Sequence, residues 1–207
     1  MVDCQVRPSD VTKFPIIDSM LRVPREGFVP ASKREVAYAG AHVDLGDGRV
    51  VLDPRSLAKM LDFLDIGPEE LVLNIGCGLG YESAVIAHMA EAVIAVEEDE
   101  HLAAEAEANL LANSADNVVV ITGALAEGAA KHGPYDVVVF NGGVETISDA
   151  VLAQVKDGGR IAAIFMDGQA GQCRVGLKTG VHVAWRNAFD ATAPVLPGME
   201  KVLEFTL

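Results

Sequence analysis

The sequence predicts an α/β protein built on a doubly wound parallel sheet. From residue 71 onward, short apolar runs alternate with helical patterns, and the runs are continuous stretches rich in Val and Ile. Such runs are typical of parallel strands that helices cover on both faces. A third observation is the stretch "NIGCGLGYESA", in which glycines join the first strand to the first helix of this alternation.

The first 65 residues predict a helical cap and a substrate-side segment. "VTKFPIIDSMLRVPREGFVP" contains one helix with apolar periodicity, and "SKREVAYAG" indicates a second short helix that ends at Gly40. "HVDLGDGRVVL" favours a strand or hairpin around its GDG turn. Asp53 as N-cap and Pro54 at the first helical position then begin a helix over residues 55–64.

Residues 66–166 predict the core of the sheet, and residues 167–207 predict strands that close one edge of it. The core strands are "LVLNI", "AVIAV", "NVVVIT" and "YDVVVF", and the helices between and after them are "YESAVIAHMA", "EHLAAEAEANLLAN", "ALAEGAAK" and "ISDAVLAQV". After "DGGRIAAIFM" the helices stop, and three antiparallel strands are expected: "GQCRVGLKTG", "VHVAWRNAF" and "EKVLEFTL". Residues 1–207 are expected to form one domain.

Composition limits the function. A net charge of −14 without a basic cluster disfavours nucleic acid as a partner, and no apolar run is long enough to predict a membrane span. The amino terminus lacks an export signal, and the three cysteines are far apart, which favours reduced thiols in the cytoplasm. No metal site is expected, because the five histidines are scattered at positions 42, 88, 101, 132 and 182.

The glycine loop indicates a nucleoside cofactor. Gly76, Gly78 and Gly80 allow close backbone approach between a strand and a helix N-terminus. Seventeen residues after the last of these glycines, Glu97 ends the second strand, where a carboxylate can accept both hydroxyls of a ribose. Alternatively, the glycines form only a tight turn and Glu97 only begins the acidic run "EEDE".

Tyr81 narrows the choice of cofactor. A dinucleotide fingerprint requires a small residue at this position so that the helix packs close to the strand. No tyrosine is followed four residues later by lysine, so a short-chain dehydrogenase relay is absent from the sequence. The loop therefore favours S-adenosylmethionine, with Asn141 at the end of the fourth strand facing it.

Over nearly its whole length the chain resembles the protein-L-isoaspartate O-methyltransferases. The matching pieces are "QVRPSDV", "MLRVPREGFVP", "AYAG", "VLNIGCGLGYESAVIA", "VIAVEEDEHL", "GPYDVVVF" and "LAQVKDGGRIA". The resemblance implies a Rossmann-like class I methyltransferase sheet with a helical N-terminal cap and antiparallel C-terminal strands. It also implies methyl transfer from S-adenosylmethionine to isoaspartyl carboxylates of damaged proteins, the first step of their repair.

The chain departs from the family pattern at several positions. Where the family has "GQTISQP", with two hydroxyls at the substrate carboxylate, this chain has "GRVVLDP", so that Val50 and Leu52 replace them and Asp53 adds a negative charge. The family's "GDG" after the third strand is here Gly123-Ala124-Leu125, and Asn74 stands where an acidic residue usually ends the first strand. The expected cofactor-binding residues are Asn74, Gly76, Cys77, Gly78, Gly80, Glu97, Ala124, Leu125 and Asn141.

Catalytic residues remain open. Arg49, Asp53 and Ser56 are candidates, because Arg49 can pair with a carboxylate and Ser56 can offer a hydroxyl. The favoured interpretation is that Arg49 is a solvated surface charge and Ser56 an ordinary first-turn residue. Two alternatives to isoaspartyl methylation stay open: an S-adenosylmethionine-binding protein without that activity, and a methyltransferase for another acceptor.

Overall fold

The structure is a computed structural model that describes residues 1–201. Its helices are α1 (Phe14–Arg22), α2 (Pro54–Leu64), α3 (Tyr81–Ala87), α4 (Glu100–Ala112) and α5 (Asp149–Ala153). Its strands are β1 (Val43–Gly46), β2 (Arg49–Val51), β3 (Leu71–Ile75), β4 (Ala92–Glu97), β5 (Val118–Thr122), β6 (Tyr135–Val144), β7 (Val155–Asp167), β8 (Ala170–Thr179) and β9 (His182–Asp190).

Seven strands form one sheet in the order β5-β4-β3-β6-β7-β8-β9. The strands from β5 to β7 in this order pair in parallel, and β8 and β9 add antiparallel hairpins at one edge. The order reverses at β3, which pairs with β4 on one side and β6 on the other. The predicted fold class is confirmed, and a ligand is expected at the carboxyl ends of these central strands.

The two faces of the sheet are covered differently. Helices α1, α2 and α3 pack on one face, where Val72 and Val139 point into a core shared with the amino-terminal segment. The other face carries α5 and residues 195–199, which pack on Leu73 and Phe140. Alternating side chains of each strand therefore belong to separate cores. The hairpin of β1 and β2 is a separate two-stranded sheet on the cap side.

Several short segments differ from the predicted elements. The short helix predicted over "SKREVAYAG" is a 3₁₀ helix over Ala31–Val36 that ends before Gly40, and the helix predicted over "ALAEGAAK" is two 3₁₀ turns, Leu125–Glu127 and Ala130–His132. The positive φ of Gly128 at +60° ends the first of these turns. Further irregular turns are Val2–Val6, Arg7–Ser9 and Arg25–Phe28. The strand predicted over "EKVLEFTL" falls mainly on residues outside the described part of the chain.

No helix within residues 1–201 combines the length and apolar character needed to cross a membrane. The division into cap, core and carboxy-terminal strands at residues 65 and 166 stays a prediction.

Candidate functional site

Three polar side chains lie on one face of the sheet at the carboxyl ends of adjacent strands. Asn74 is the next-to-last residue of β3, Glu97 ends β4, and Asn141 lies near the end of β6. By the alternation of side chains, each points to the face that the cap covers. All three are buried, with at most 1% of their surface exposed. The sequence-predicted cofactor residues of these strands thus meet at one edge.

The glycine loop connects β3 to α3 beside these residues. Gly76, Gly78 and Gly80 have φ angles of +79°, +55° and +93°, a region that residues with a Cβ atom rarely adopt. The backbone N–H groups of Gly76 and Cys77 both donate to the carbonyl of Val96, at 2.8 and 3.1 Å, which fixes the loop to the end of β4. Burial raises the pKa of the Cys77 thiol, so this residue is a poor nucleophile.

Glu97 accepts several hydrogen bonds in this interior. The N–H of Gly78 donates to Oε2 at 2.7 Å, and the N–H of Glu98 donates to Oε1 at 2.9 Å. The guanidinium of Arg49 forms an ion pair with Oε2. The interpretation of Arg49 as a solvated surface charge is therefore wrong: its side chain is 5% exposed, because β2 turns it inward over the glycine loop.

Some buried polar atoms of the site have no protein partner within the described residues. They include Oδ1 and Nδ2 of Asn74, Oδ1 of Asn141 and Nη1 of Arg49. A buried polar atom without a hydrogen bond costs about 1–3 kcal/mol, which a bound polar ligand can offset. The unpartnered amides, the glycine loop and the Glu97 carboxylate together fit an adenosyl cofactor that carries a polar amino-acid tail.

A cleft of about 400 Å³ opens beside Glu97. The β1–β2 hairpin lines one side of this cleft, and the start of α4 lines the opposite side. Asp99, on the α4 side, caps this helix by accepting the N–H groups of His101 and Leu102 at 2.8 and 3.0 Å. The lining residues are Leu45, Gly46, Asp47, Arg49, Glu97, Glu98, Asp99, His101, Leu102 and Pro197. The cleft thus leads from solvent to the carboxylate at the end of β4.

The segment "GRVVLDP" lies on the cap side of the site, and its side chains are apolar where hydroxyls were expected from the resemblance. Val50 and Leu52 are 7% and 1% exposed. The N–H of Leu52 donates to Oε1 of Glu82 at 3.1 Å, and Nδ2 of Asn141 donates to Oε2 of the same carboxyl at 2.9 Å. Burial raises the pKa of Glu82 to about 7. The carboxyl of Glu82 thus accepts hydrogen bonds from both the segment and β6.

Arg25 holds this segment in place. The residue is fully buried, and it donates from Nε to the carbonyl of Ala37 and from Nη2 to the carbonyl of Leu52, each at 2.6 Å. Its guanidinium lies 4.7 Å from the centroid of the Tyr81 ring, directly after the glycine loop. The Arg25 side chain therefore links the cap, the segment "GRVVLDP" and α3.

Asp53 and Ser56 lie at the start of α2. Oδ1 of Asp53 accepts the N–H of Ser56 at 2.9 Å, which is an N-cap contact.

After β5, Ala124 is exposed, and Leu125 packs into the core on the far face of the sheet. The backbone N–H of Gly123 donates to the carbonyl of Glu97 at 3.0 Å, so this turn adjoins the Glu97 end of the site.

Sequence reasoning missed four residues at the site: Arg25, Leu45, Glu82 and Leu196. Leu196 is the clearest case, because a Cβ atom at Gly142 would lie 2.5 Å from its Cδ2. The adjacent Gly142-Gly143 pair, which lies near the end of β6, was the available signal for a close approach. The sequence contained no comparable signal that residues 194–199 return to this edge.

Curated relatives of this chain are protein-L-isoaspartate O-methyltransferases. The enzyme numbered 2 from Syntrophobacter fumaroxidans is 37% identical over 146 residues, which are 70% of this chain and 59% of the relative. The enzyme from Koribacter versatilis is 33% identical over 161 residues, 78% of this chain and 72% of the relative. The matched part of this chain thus spans 59% of the length of the Syntrophobacter fumaroxidans enzyme.

Solved structures support the fold. A protein-L-isoaspartate O-methyltransferase superposes with a TM-score of 0.81 at 21% identity, covering 93% of this chain and 63% of that one. A putative protein-L-isoaspartate O-methyltransferase from Plasmodium falciparum, in complex with S-adenosyl-L-homocysteine, gives 0.80 at 17% identity, covering 92% and 93%.

The family model for protein-L-isoaspartate(D-aspartate) O-methyltransferase matches residues 4–173, which include the cap segment, the glycine loop and every central strand. The chain therefore belongs to the protein-L-isoaspartate(D-aspartate) O-methyltransferase family.

Proposed function

We propose that this protein transfers a methyl group from S-adenosylmethionine to the carboxylate of isoaspartyl residues in cytoplasmic proteins. The observation that carries the proposal is the buried carboxylate of Glu97 at the end of β4, hydrogen-bonded to the glycine loop, in a chain of this family. In doubly wound sheets a carboxylate at this place holds ribose hydroxyls.

The cofactor would lie along the carboxyl ends of β4, β3 and β6. Glu97 would accept the ribose hydroxyls, and Asn74 and Asn141 would use their unpartnered amide atoms to hold the amino-acid tail. S-adenosylmethionine supplies an electrophilic methyl group when it is bound. The proposed set is completed by the loop residues Gly76, Cys77, Gly78 and Gly80 and by Ala124 and Leu125.

An ionised carboxylate is already a nucleophile, so this reaction requires orientation and exclusion of water more than a general base. Val50 and Leu52, buried beside the site, suit the exclusion of water. Of the catalytic candidates, Asp53 and Ser56 contact each other as a helix cap, which favours a positioning role for both.

A second candidate is methyl transfer to another acceptor, or cofactor binding without isoaspartyl activity. The observation that favours it is that the N–H of Leu52 donates to the internal carboxyl of Glu82. This donor is therefore not free for a substrate carboxylate, and the side chains of Val50 and Leu52 offer no hydroxyl in its place.

One paired experiment tests the proposal. Binding of S-adenosylmethionine is measured by calorimetry, and transfer of a labelled methyl group is then assayed on an isoaspartyl peptide, with the aspartyl peptide of the same sequence as control. The proposal expects binding and transfer to the isoaspartyl peptide alone. Binding without transfer contradicts isoaspartyl methylation and supports the second candidate, whereas absence of binding contradicts both.

The variant Val50→Thr separates the two candidates further, because threonine keeps the shape of valine and adds the hydroxyl. If the first candidate holds, this variant should increase the rate of isoaspartyl methylation about tenfold, the effect of one hydrogen bond to a charged group. If another acceptor is the substrate, isoaspartyl transfer should stay at background.

A further inference from the structure

Arg49 lies against the carboxylate of Glu97, the proposed ligand of the cofactor's ribose. Its Nη2 pairs with Oε2 of Glu97, the same oxygen that accepts the N–H of Gly78. Arg49 as a whole is 4% exposed and Glu97 is fully buried, so water does not reach the pair freely. A ribose hydroxyl that donates to this carboxylate must therefore compete with a guanidinium that belongs to the chain itself.

The hairpin that carries Arg49 also covers the glycine loop. A Cβ atom at Gly76 would lie 3.0 Å from Nη1 and 3.1 Å from Nη2 of Arg49. A Cβ atom at Gly78 would lie 2.9 Å from Cδ1 of Leu45, on β1 of the same hairpin. The space directly above two of the three glycines is thus filled by side chains from residues 45–49.

Glu97 does not depend on Arg49 for its hydrogen bonds. Three backbone N–H groups donate to the carboxylate: that of Gly78 at 2.7 Å, that of Glu98 at 2.9 Å and that of Asp99 at 3.2 Å. These donors satisfy the hydrogen-bonding capacity of the carboxylate oxygens without a cation. Arg49 itself is less completely satisfied, because its Nη1 is buried without a partner among the described residues.

The guanidinium has a nearby place to move to. Arg49 lines the cleft of about 400 Å³ that opens beside Glu97, and the carboxylate of Asp99 lines the same cleft. The hairpin tip contains Gly46 and Gly48 at φ +96° and +72°, and within residues 1–201 no heavy atom beyond the adjacent residues lies within 4 Å of their Cβ positions. A movement of the Arg49 side chain into the cleft would leave the buried Val50 and Val51 in place.

We propose that Arg49 is an internal ligand of Glu97 that closes the glycine loop, and that an adenosyl cofactor binds only when this guanidinium leaves the carboxylate for the cleft. Arg49 thereby sets the affinity for the cofactor. The inference rests on the proposed function, because it takes Glu97 as the ribose ligand.

The test compares Arg49→Gln with the matched control Arg55→Gln, whose guanidinium lies 5.7 Å from the Phe189 ring, outside the site. The probe is S-adenosylhomocysteine, titrated by calorimetry into each purified protein. Removal of a competing charge-assisted hydrogen bond should lower the Kd of Arg49→Gln roughly 10- to 100-fold relative to wild type. Arg55→Gln should bind as wild type does.

A wild type that binds the probe as tightly as Arg49→Gln overturns the inference and leaves the proposed function intact. If no protein binds, the proposed function fails, and the inference fails with it. Binding by wild type and by Arg49→Gln, with the lower Kd in Arg49→Gln, supports both, whereas binding by Arg49→Gln alone contradicts the proposed function of the wild type. Should Arg49→Gln not fold, as judged by circular dichroism, Arg49→Met offers an apolar side chain of similar length, for which the same tightening is expected and an unchanged Kd overturns the inference.

Discussion

The two walls of the site differ in what they offer to a ligand. On the sheet side, the amide of Asn74 and Oδ1 of Asn141 have no hydrogen-bond partner within residues 1–201, and the three loop glycines have positive φ angles. On the cap side, the polar groups are already engaged: Arg49 pairs with Glu97, and Leu52 donates to Glu82. In the proposed function the sheet wall would hold the cofactor, whereas the polar groups of the cap wall already have partners within the protein.

Family membership therefore predicts the sheet wall better than it predicts the cap wall. The sheet wall follows from the strand order, which fixes where the strand ends meet. The cap wall depends on individual side chains of a short hairpin and on one buried arginine. Substitutions that act on one wall at a time can break or sharpen this comparison.

The largest effect is expected from Arg25→Ala. Removing the guanidinium leaves the carbonyls of Ala37 and Leu52 without donors in the interior, which should lower the free energy of unfolding by about 3–5 kcal/mol. Urea denaturation measures this free energy. As a control, Arg22→Ala at an exposed position should change the free energy of unfolding by less than about 1 kcal/mol. Equal losses in both variants would contradict the role of Arg25 as the link between the walls.

Glu82→Gln should alter the pH dependence of stability. The pKa of Glu82 is raised from 4.5 to about 7, so the folded state holds a proton that the unfolded state loses between these values. The contribution of Glu82 to the free energy of unfolding, about 3 kcal/mol, is therefore complete below pH 4.5 and lost as the pH rises through 7. Thermal unfolding between pH 4.5 and 8 measures it.

The glutamine variant should show a flatter profile and exceed wild type in stability at pH 8, because an amide has no proton to lose. The exposed Glu107→Gln serves as control and should follow the wild-type profile. A profile of Glu82→Gln that matches wild type would contradict the assignment of the buried charge.

Glu97→Gln tests the sheet wall. If Glu97 accepts the ribose hydroxyls, loss of its charge should weaken binding of S-adenosylhomocysteine about 100-fold, equivalent to about 2.7 kcal/mol. Calorimetry measures the Kd, and the exposed neighbour Glu98→Gln is the control. Unchanged affinity in Glu97→Gln would remove the ribose assignment.

The smallest effect is expected from Asp53→Ala. Loss of the contact between Oδ1 and the N–H of Ser56 should cost about 1 kcal/mol in the free energy of unfolding. Asp53→Asn should retain most of it, because asparagine is an equally good N-cap. An Asp53→Asn variant of normal stability that has lost methyl transfer would instead place Asp53 in the acceptor site.

Much of the sheet could be predicted because its signals are local. Continuous Val and Ile runs marked β3, β4, β5 and β6, and the Asp53-Pro54 pair marked the start of α2. Weakly periodic segments such as "ALAEGAAK" were predicted less well, since glycines and tertiary packing decide between an α-helix and a 3₁₀ turn.

The site could be predicted in part. Glu97 and Asn141 were expected at strand ends and Asn74 from the family resemblance, and the structure brings all three to the same edge and face of the sheet. Glu82 and Arg25 were not among the predicted site residues. Their burial depends on contacts more than ten residues away along the chain, for which no local pattern exists.

The sequence by itself determined the parallel sheet, the glycine loop and the carboxylate at the end of β4, because hydrophobic periodicity and backbone freedom are properties of short segments. Only the tertiary structure decided the state of Arg49. A charged residue after a Gly-Asp-Gly turn is usually solvated, yet the fold of the hairpin places this guanidinium over Gly76 and against Glu97. Such a pair forms when two distant segments meet and exclude water, which neither segment encodes alone.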